Sequence, residues 1–222
     1  MTTKKKQSQY KVQEEQPTIV EEPFITYPPL NLDLSKRYTY ADYLTWMDDV
    51  RRELIDGFIH LMSAPSTIHA QLSFNLVFEV GTFFRKRKGK CRIFYAPFDV
   101  RFPTGAYRGD DEIYNVVQPD ICVICDATKI DKKGCIGAPD LIVEILSPST
   151  AKHDKDKKFH LYEKFGVREY WMVDPKAKTV HAFLLQPTGK YDSGTVYECN
   201  QKAPVRIFDG LEVDLKGLFE DE

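Results

Sequence analysis

Two carboxylates set inside apolar runs are the residues of this 222-residue sequence best placed to do chemistry. Glu144 lies in PDLIVEIL, where Leu141, Val143 and Ile145 alternate with Ile142 and Leu146, so both faces of a strand are apolar. Glu144 is therefore expected mid-strand in a buried environment, where an ionised carboxylate is costly unless it is paired or bound to a metal. Asp120 opens DICVIC on the preceding strand. Neighbouring strands lie about 4.8 Å apart, so the two carboxylates can share one cation, and paired oxygen ligands of this kind suit magnesium. The plainer alternative is that Asp120 follows Pro119 as a strand-entry residue while Glu144 forms a buried salt bridge. Asp140 repeats the Pro-Asp dipeptide on the same strand face as Glu144, but four extended residues separate them by about 13 Å, which leaves Asp140 out of the site. His69 falls in the first turn of a long helix, within reach of such a site or of a phosphate, or else simply satisfied at the helix start. The histidines at 60, 153, 160 and 181 form no ligand spacing.

The elements that must position these groups follow from periodicity and punctuation. Residues 1–35 are polar, acidic and dotted with proline, and read as a flexible leader to one domain over 36–222. Thr39 with Asp42 forms a capping signal for a first helix. In ELIDGFIHLM, Asp56-Gly57 supplies the positive φ angles of a tight hairpin turn. Ser66 caps a helix over 67–88, with Ile68, Leu72, Leu76, Val80 and Phe83 at helical spacing and Gly89 as its stop. Three strand runs follow, CRIFYAPFDVRF, VVQPDICVIC and PDLIVEIL. After the turn SPST come a helix over 154–165 ended by Gly166, the strands REYWMVDP and TVHAFLLQ, one or two short strands, and a terminal turn at LKGLFEDE. This order implies an α/β fold with a mixed sheet flanked by helices.

Composition narrows the function. Apolar residues at 42% and charged residues at 29% describe an ordinary globular chain, and a net charge of −2 offers a polyanion no overall attraction. Any nucleic-acid contact must come from local clusters, RKRKGKCR at 85–92 or KHDKDKK at 152–158, both of which also read as solvated helix ends. No apolar run is long enough to span a membrane and the start lacks a secretory signal, so the cytoplasm is expected. Five cysteines without framework spacing are expected as free thiols, with Cys122 and Cys125 as small core residues. No zinc finger, helix-turn-helix, aromatic stacking platform, glycine-rich phosphate loop or G-x-S-x-G elbow is legible.

Taken together, ELIDG, the H-x-x-L helix start, QPDICVI, PDLIVEILSPST and KFHLYEKFGVREYWMVDP resemble the restriction endonuclease family of the PD-(D/E)XK nuclease superfamily, over roughly residues 38–190. The resemblance implies a restriction-endonuclease-like central sheet, with Asp120 and Glu144 as metal ligands and Mg2+, or Mn2+ as its substitute, as cofactor. It also implies that Glu53 in RRELIDG is a further acidic contact to metal or water; a surface carboxylate beside Arg51 and Arg52 is the alternative. The superfamily's lysine two residues after the glutamate is absent, because Leu146 stands there. Helical geometry offers a replacement: at about 100° per residue, Lys158 shares an arc with Leu161, Tyr162 and Phe165, Lys155 is the next candidate at an intermediate angle, and Lys157 and Lys164 project away; the alternative is that Lys158 snorkels along the helix edge. The resulting expectation is a homodimeric, metal-dependent endonuclease acting on DNA through Asp120, Glu144 and Lys158, assisted by Glu53 and His69. The alternatives are a nuclease-fold protein that binds nucleic acid or acts as a scaffold without turnover, and a hydrolase of a small phosphorylated metabolite.

Overall fold

A computed structural model describes residues 29–87, 89–147 and 154–220. Residues 1–28 of the expected leader, most of the SPST turn and the start of the KHDKDKK cluster lie outside them. Of the leader, Leu30 donates its N–H to Asp48 and Leu32 packs on the domain. Thr39 and Asp42 form a full capping box at helix α1, Tyr40–Tyr43. The expected hairpin is present as β1, Arg52–Ile55, and β2, Phe58–Leu61, joined by Asp56 at φ 50° and Gly57 at φ 85°. The Ser66 hydroxyl accepts from the His69 N–H at the start of α2, Thr67–Arg87.

Proline decides how the middle of the chain divides. CRIFYAPFDVRF and VVQPDICVIC, each expected as one strand, are each two. The first splits into β3, Arg92–Tyr95, and β4, Val100–Arg101, around Pro97. The second splits into β5, Val116–Val117, and β6, Ile121–Ile124, around Pro119. A proline lacks the N–H a ladder needs and constrains the residue before it, so each run bends there and its halves join different sheets. A further hairpin, β7 (Ile130–Asp131) and β8 (Gly134–Ile136), precedes β9, Leu141–Ile145. Asp154–Lys158 form a π-helical turn that leads into α3, Phe159–Phe165, and Gly166 ends it in the left-handed conformation. The helix expected over 154–165 is thus α-helical only in its second part. Then follow β10 (Glu169–Asp174), β11 (Thr179–Leu184), β12 (Thr195–Glu198), β13 (Lys202–Pro204) and β14 (Glu212–Asp214). The expected terminal turn is a short helix, α4, Leu215–Glu220.

The result is a mixed α/β fold with two six-stranded sheets. One runs β12-β11-β10-β9-β6-β3, with β9 and β10 parallel and its other pairs antiparallel. Adjacent parallel strands need a crossover, and α3 supplies it between β9 and β10. The other sheet, β2-β1-β5-β4-β8-β7, contains the Asp56-Gly57 hairpin. Alternation along β9 sorts the core as the sequence implies. Leu141, Val143 and Ile145 pack beneath Leu72, Leu76, Val80 and Phe84 of α2, while Ile142 and Leu146 pack with Leu161 and Tyr162 of α3. Ile68 departs from the expected apolar stripe and is exposed; Phe84 is buried where Phe83 was expected. Among the described residues no helix is long and apolar enough to cross a membrane.

Cys91 and Cys125 form a disulfide, against the expectation of five free thiols; Cys122, Cys135 and Cys199 are free. The cause is register: β3 and β6 pair with Arg92 opposite Ile124, and the two cysteines stand one step beyond that pair. Local spacing within DICVIC holds no information about a partner on another strand. The bond closes a loop of sequence separation 34, a constraint on the unfolded chain of about 3–4 kcal/mol. Alkylation in denaturant without reductant should therefore modify three cysteines, and reductant should both add two and lower the melting temperature. Five reactive thiols before reduction would refute the pairing.

Candidate active site

The two sheets meet at a cleft of about 270 Å³ lined by Glu53, His69, Asp120, Glu144 and Lys158. All five candidate residues therefore face one space. Strand pairing brings in the first two. In the antiparallel β6–β9 ladder Ile121 lies opposite Val143, so Asp120, one residue outside β6, comes alongside Glu144. Asp120 is held at both oxygens: Oδ2 accepts from the Ile145 N–H at 2.7 Å, and Oδ1 lies 2.8 Å from His69 Nε2. Because Ser66 caps α2, His69 sits in the first turn of that helix with its ring directed at this carboxylate.

Glu53 arrives from the other sheet, on β1. Its Oε1 accepts from the Gln118 N–H at 2.8 Å and from Lys158 Nζ at 2.9 Å. Lys158 Nζ also lies 3.0 Å from Glu144 Oε1, so one ammonium bridges carboxylates on two sheets. Glu53, Glu144 and Lys158 are each only 3% exposed. The helical arc predicted from sequence puts Lys158 in the core, where among the described residues it pairs with Glu144 and Glu53, whereas Asp120 is engaged by His69. Asp140, excluded from the site, accepts instead from the Cys125 N–H and from Arg168.

Two positioning residues were missed. Tyr162, one helical turn beyond Lys158, donates its hydroxyl to Glu144 Oε1 at 2.6 Å. Burial and then the Glu144 charge push the phenol well above its usual range, so it remains a proton donor. The clue in the sequence was a tyrosine on the buried arc, whose hydroxyl must find an acceptor. Gln118 is the second. It stands in the short link between β5 and β6, its N–H on Glu53 and its side-chain carbonyl accepting from Arg51. Its amide donates to Asp99 and to the Tyr43 hydroxyl. A polar residue directly after the apolar Val116-Val117 pair and before Pro119 was the available signal.

Among the described residues no group of three or more His, Cys, Asp or Glu side chains is arranged to hold a metal ion. The Asp120–Glu144 pair still suits magnesium, which is commonly held by one or two carboxylates with waters and substrate phosphates completing its shell. Three carboxylates, Glu53, Asp120 and Glu144, line one cleft with two cations, Lys158 and Arg51, and the formal negative charge left over favours a cation there. Asp120 and Glu144 are the pair that strand register places side by side.

A family model, Uma2, described as "Putative restriction endonuclease", matches residues 40–216. Two relatives come from Synechocystis sp. (strain ATCC 27184 / PCC 6803 / Kazusa). The "Uncharacterized protein slr1290" is 31% identical over 125 residues, covering 54% of this chain and 60% of its own length. The "Uncharacterized protein sll1609" is 30% identical over 149 residues, covering 63% of this chain and 76% of its own length. This chain thus aligns with about three fifths of the first relative. A crystal structure described as "a putative nuclease belonging to DUF820", from Anabaena variabilis ATCC 29413, superposes with a TM-score of 0.64. The match covers 82% of this chain and 98% of that one at 24% identity, a likeness that speaks for the fold.

The Glu53–Lys158–Glu144 bridge has a measurable energetic signature. Replacing Lys158 with methionine leaves two buried carboxylates facing each other, and breaking a buried ion pair by removing one partner costs about 3–5 kcal/mol. Urea unfolding in chelator should show a loss of that order for Lys158→Met, and Glu53→Gln added to it should recover part of the loss. Simple additivity of the two substitutions would mean that the groups do not interact.

Proposed function

The chain belongs to the restriction endonuclease-like family whose model spans residues 40–216, and on that premise we propose that it is a metal-dependent endonuclease hydrolysing phosphodiester bonds in DNA. The observation that carries the reading is the placement of the Lys158 ammonium 3.0 Å from Glu144, in the cleft that also holds Asp120. Leu146 stands where the PD-(D/E)XK superfamily that the chain resembles has its lysine, and its side chain packs in the core, so the cation would come from the head of the following helix instead.

Asp120 and Glu144 would hold Mg2+, or Mn2+ in its place, with Glu53 as a further contact to the metal's water. Bound there, the metal supplies Lewis-acid chemistry, lowering the pKa of a water and neutralising charge on the phosphate. The protein's own groups do the rest. Lys158 offers a fixed positive charge to the attacking water or to a phosphate oxygen as negative charge develops. Its two carboxylate partners and its burial restrict where the ammonium can go, so little reorganisation is needed when the substrate arrives. Tyr162 holds Glu144 through a neutral hydroxyl, and His69 orients Asp120 and stands where a phosphate would enter. The proposal includes a two-fold dimer, the commonest closed assembly, which would carry one centre per chain. Light scattering should give twice the mass of one chain at micromolar protein; a monomer would confine the enzyme to one strand at a time.

The direct test is incubation of the purified protein with plasmid, single-stranded DNA and RNA, each with and without manganese. Cleavage should require the metal. Asp120→Asn should fold, lose cleavage and lose the melting-temperature gain that manganese gives the wild type through binding to the folded state. Lys158→Met should retain that gain but cleave at least tenfold more slowly, about 1.4 kcal/mol of transition-state stabilisation. Glu53→Gln combined with Lys158→Met should stay equally inactive. Lys157→Met and Lys164→Met, at exposed positions, should cleave like wild type. Manganese binding without cleavage of any of the three substrates would leave a nuclease-fold binding protein as the reading, and equal rates in all three lysine variants would remove Lys158 from the chemistry.

A further inference from the structure

Beside the carboxylate cleft lies a second, more apolar groove of about 420 Å³. Phe74 and Tyr95 line it and are 65% and 63% exposed, although aromatic side chains of this size are ordinarily covered. The groove continues the cleft, because Arg51, Pro65, His69 and Asp120 line both. Its aromatic residues sit on the elements that build the site. Phe74 is on α2, whose first turn carries His69. Tyr95 ends β3 opposite Ile121, next to Asp120, and the following Ala96 N–H donates to the Asp120 carbonyl at 3.1 Å.

We propose that this groove takes an unpaired base of a single-stranded nucleic acid, stacked on Tyr95 and Phe74, while the phosphate joined to that base enters the carboxylate cleft. The inference rests on the endonuclease reading and adds the class of substrate. Three features fit such an occupant. Exposed aromatic rings offer a base a stacking surface, and a base reaches such a ring only when it has left a duplex stack. Ala70 and Ser73, both small, line the groove between the His69 and Phe74 positions and leave it depth. At the boundary, Arg51 donates from Nε and Nη2 to Gln118 Oε1, which fixes a guanidinium where cleft and groove meet, and a guanidinium complements a phosphate in charge and shape. No stacking platform was legible in the sequence because Phe74 lies on a helix and Tyr95 on a strand, with nothing local to join them.

The test measures binding separately from cleavage, so that it can fail while the nuclease reading stands. Fluorescence anisotropy of the full chain, with calcium as a non-cleaving cation, compares a single-stranded deoxyoligonucleotide, the ribo-oligonucleotide of the same sequence and the blunt duplex. Wild type should bind a single strand more tightly than the duplex. Phe74→Ala and Tyr95→Ala should each weaken single-strand binding about fivefold or more, the low end of what one stacked base contributes, and leave duplex binding unchanged. Tyr95→Trp should restore the affinity, and a 2-aminopurine base in the strand should be quenched by wild type but not by the alanine variants. The deoxy and ribo arms identify which backbone the groove accepts. Equal losses on single strand and duplex, no loss on either, or no binding by wild type would each overturn the proposal. So would conversion of a dimer to a monomer by Phe74→Ala, since Phe78, exposed and stacked on Phe74 with centroids 6.4 Å apart, would then belong with it to a contact between two copies.

Discussion

A buried ammonium between two buried carboxylates is the interaction around which this molecule is arranged. Lys158 projects from the start of α3, Glu144 from the middle of β9 in one sheet, and Glu53 from β1 in the other. None of the three charges is tolerable alone at its depth. Each is therefore a condition on the other two: the sheets must approach at this point, and the turn before α3 must deliver the lysine to their junction. The π-helical turn Asp154–Lys158 makes that delivery, and wide turns of this kind recur at functional sites. Such a triad is a poor way to gain stability, since well-packed apolar residues would serve as well. What it provides is a cleft with fixed charges facing solvent on one side.

The link between the sheets does the same work from the backbone. Val116 to Ile124 leaves one sheet at Pro119 and enters the other, and the three residues at the crossing divide the labour. Gln118 holds Glu53 through its N–H, Pro119 ends the first strand, and Asp120 enters the cleft against Ile145. The β3–β4 run bends in parallel at Pro97, and Asp99 beyond that bend accepts from the Gln118 amide and the Tyr40 hydroxyl. Burial pushes the Tyr40 phenol far above its ordinary range, with the Asp99 charge adding to it, so it stays a donor. Polar side chains thus tie the crossing to α1, where main-chain pairing is interrupted.

These dependencies also account for the different fates of Leu146 and Lys158. With Leu146 directed into the apolar cluster beneath α3, that strand position serves packing. The positive charge beside Glu144 comes instead from Lys158, outside the strand. The turn before α3 brings Lys158 to Glu144, and the next helical turn adds the Tyr162 hydroxyl on the same carboxylate oxygen.

What the sequence determined by itself is what short-range periodicity and turn chemistry control. The two-faced burial of β9, the Thr39 and Ser66 caps, the Asp56-Gly57 hairpin and the inward position of Lys158 all depend on residues within about one or two turns of each other. So does the mid-strand burial of Glu144, which made it a candidate before any partner was known. Tertiary structure decided the rest, because each remaining feature joins segments with no local relation. Pairing register set Cys91 against Cys125 and Asp120 beside Glu144. The meeting of two sheets gave Lys158 its second carboxylate in Glu53 and made Gln118 a positioning residue. The sharing of each apolar run between two sheets was settled by prolines whose effect is visible only once strands compete for partners. The same holds for Phe74 and Tyr95: a residue's type states what it prefers to bury against, and only the packed neighbours decide whether it does.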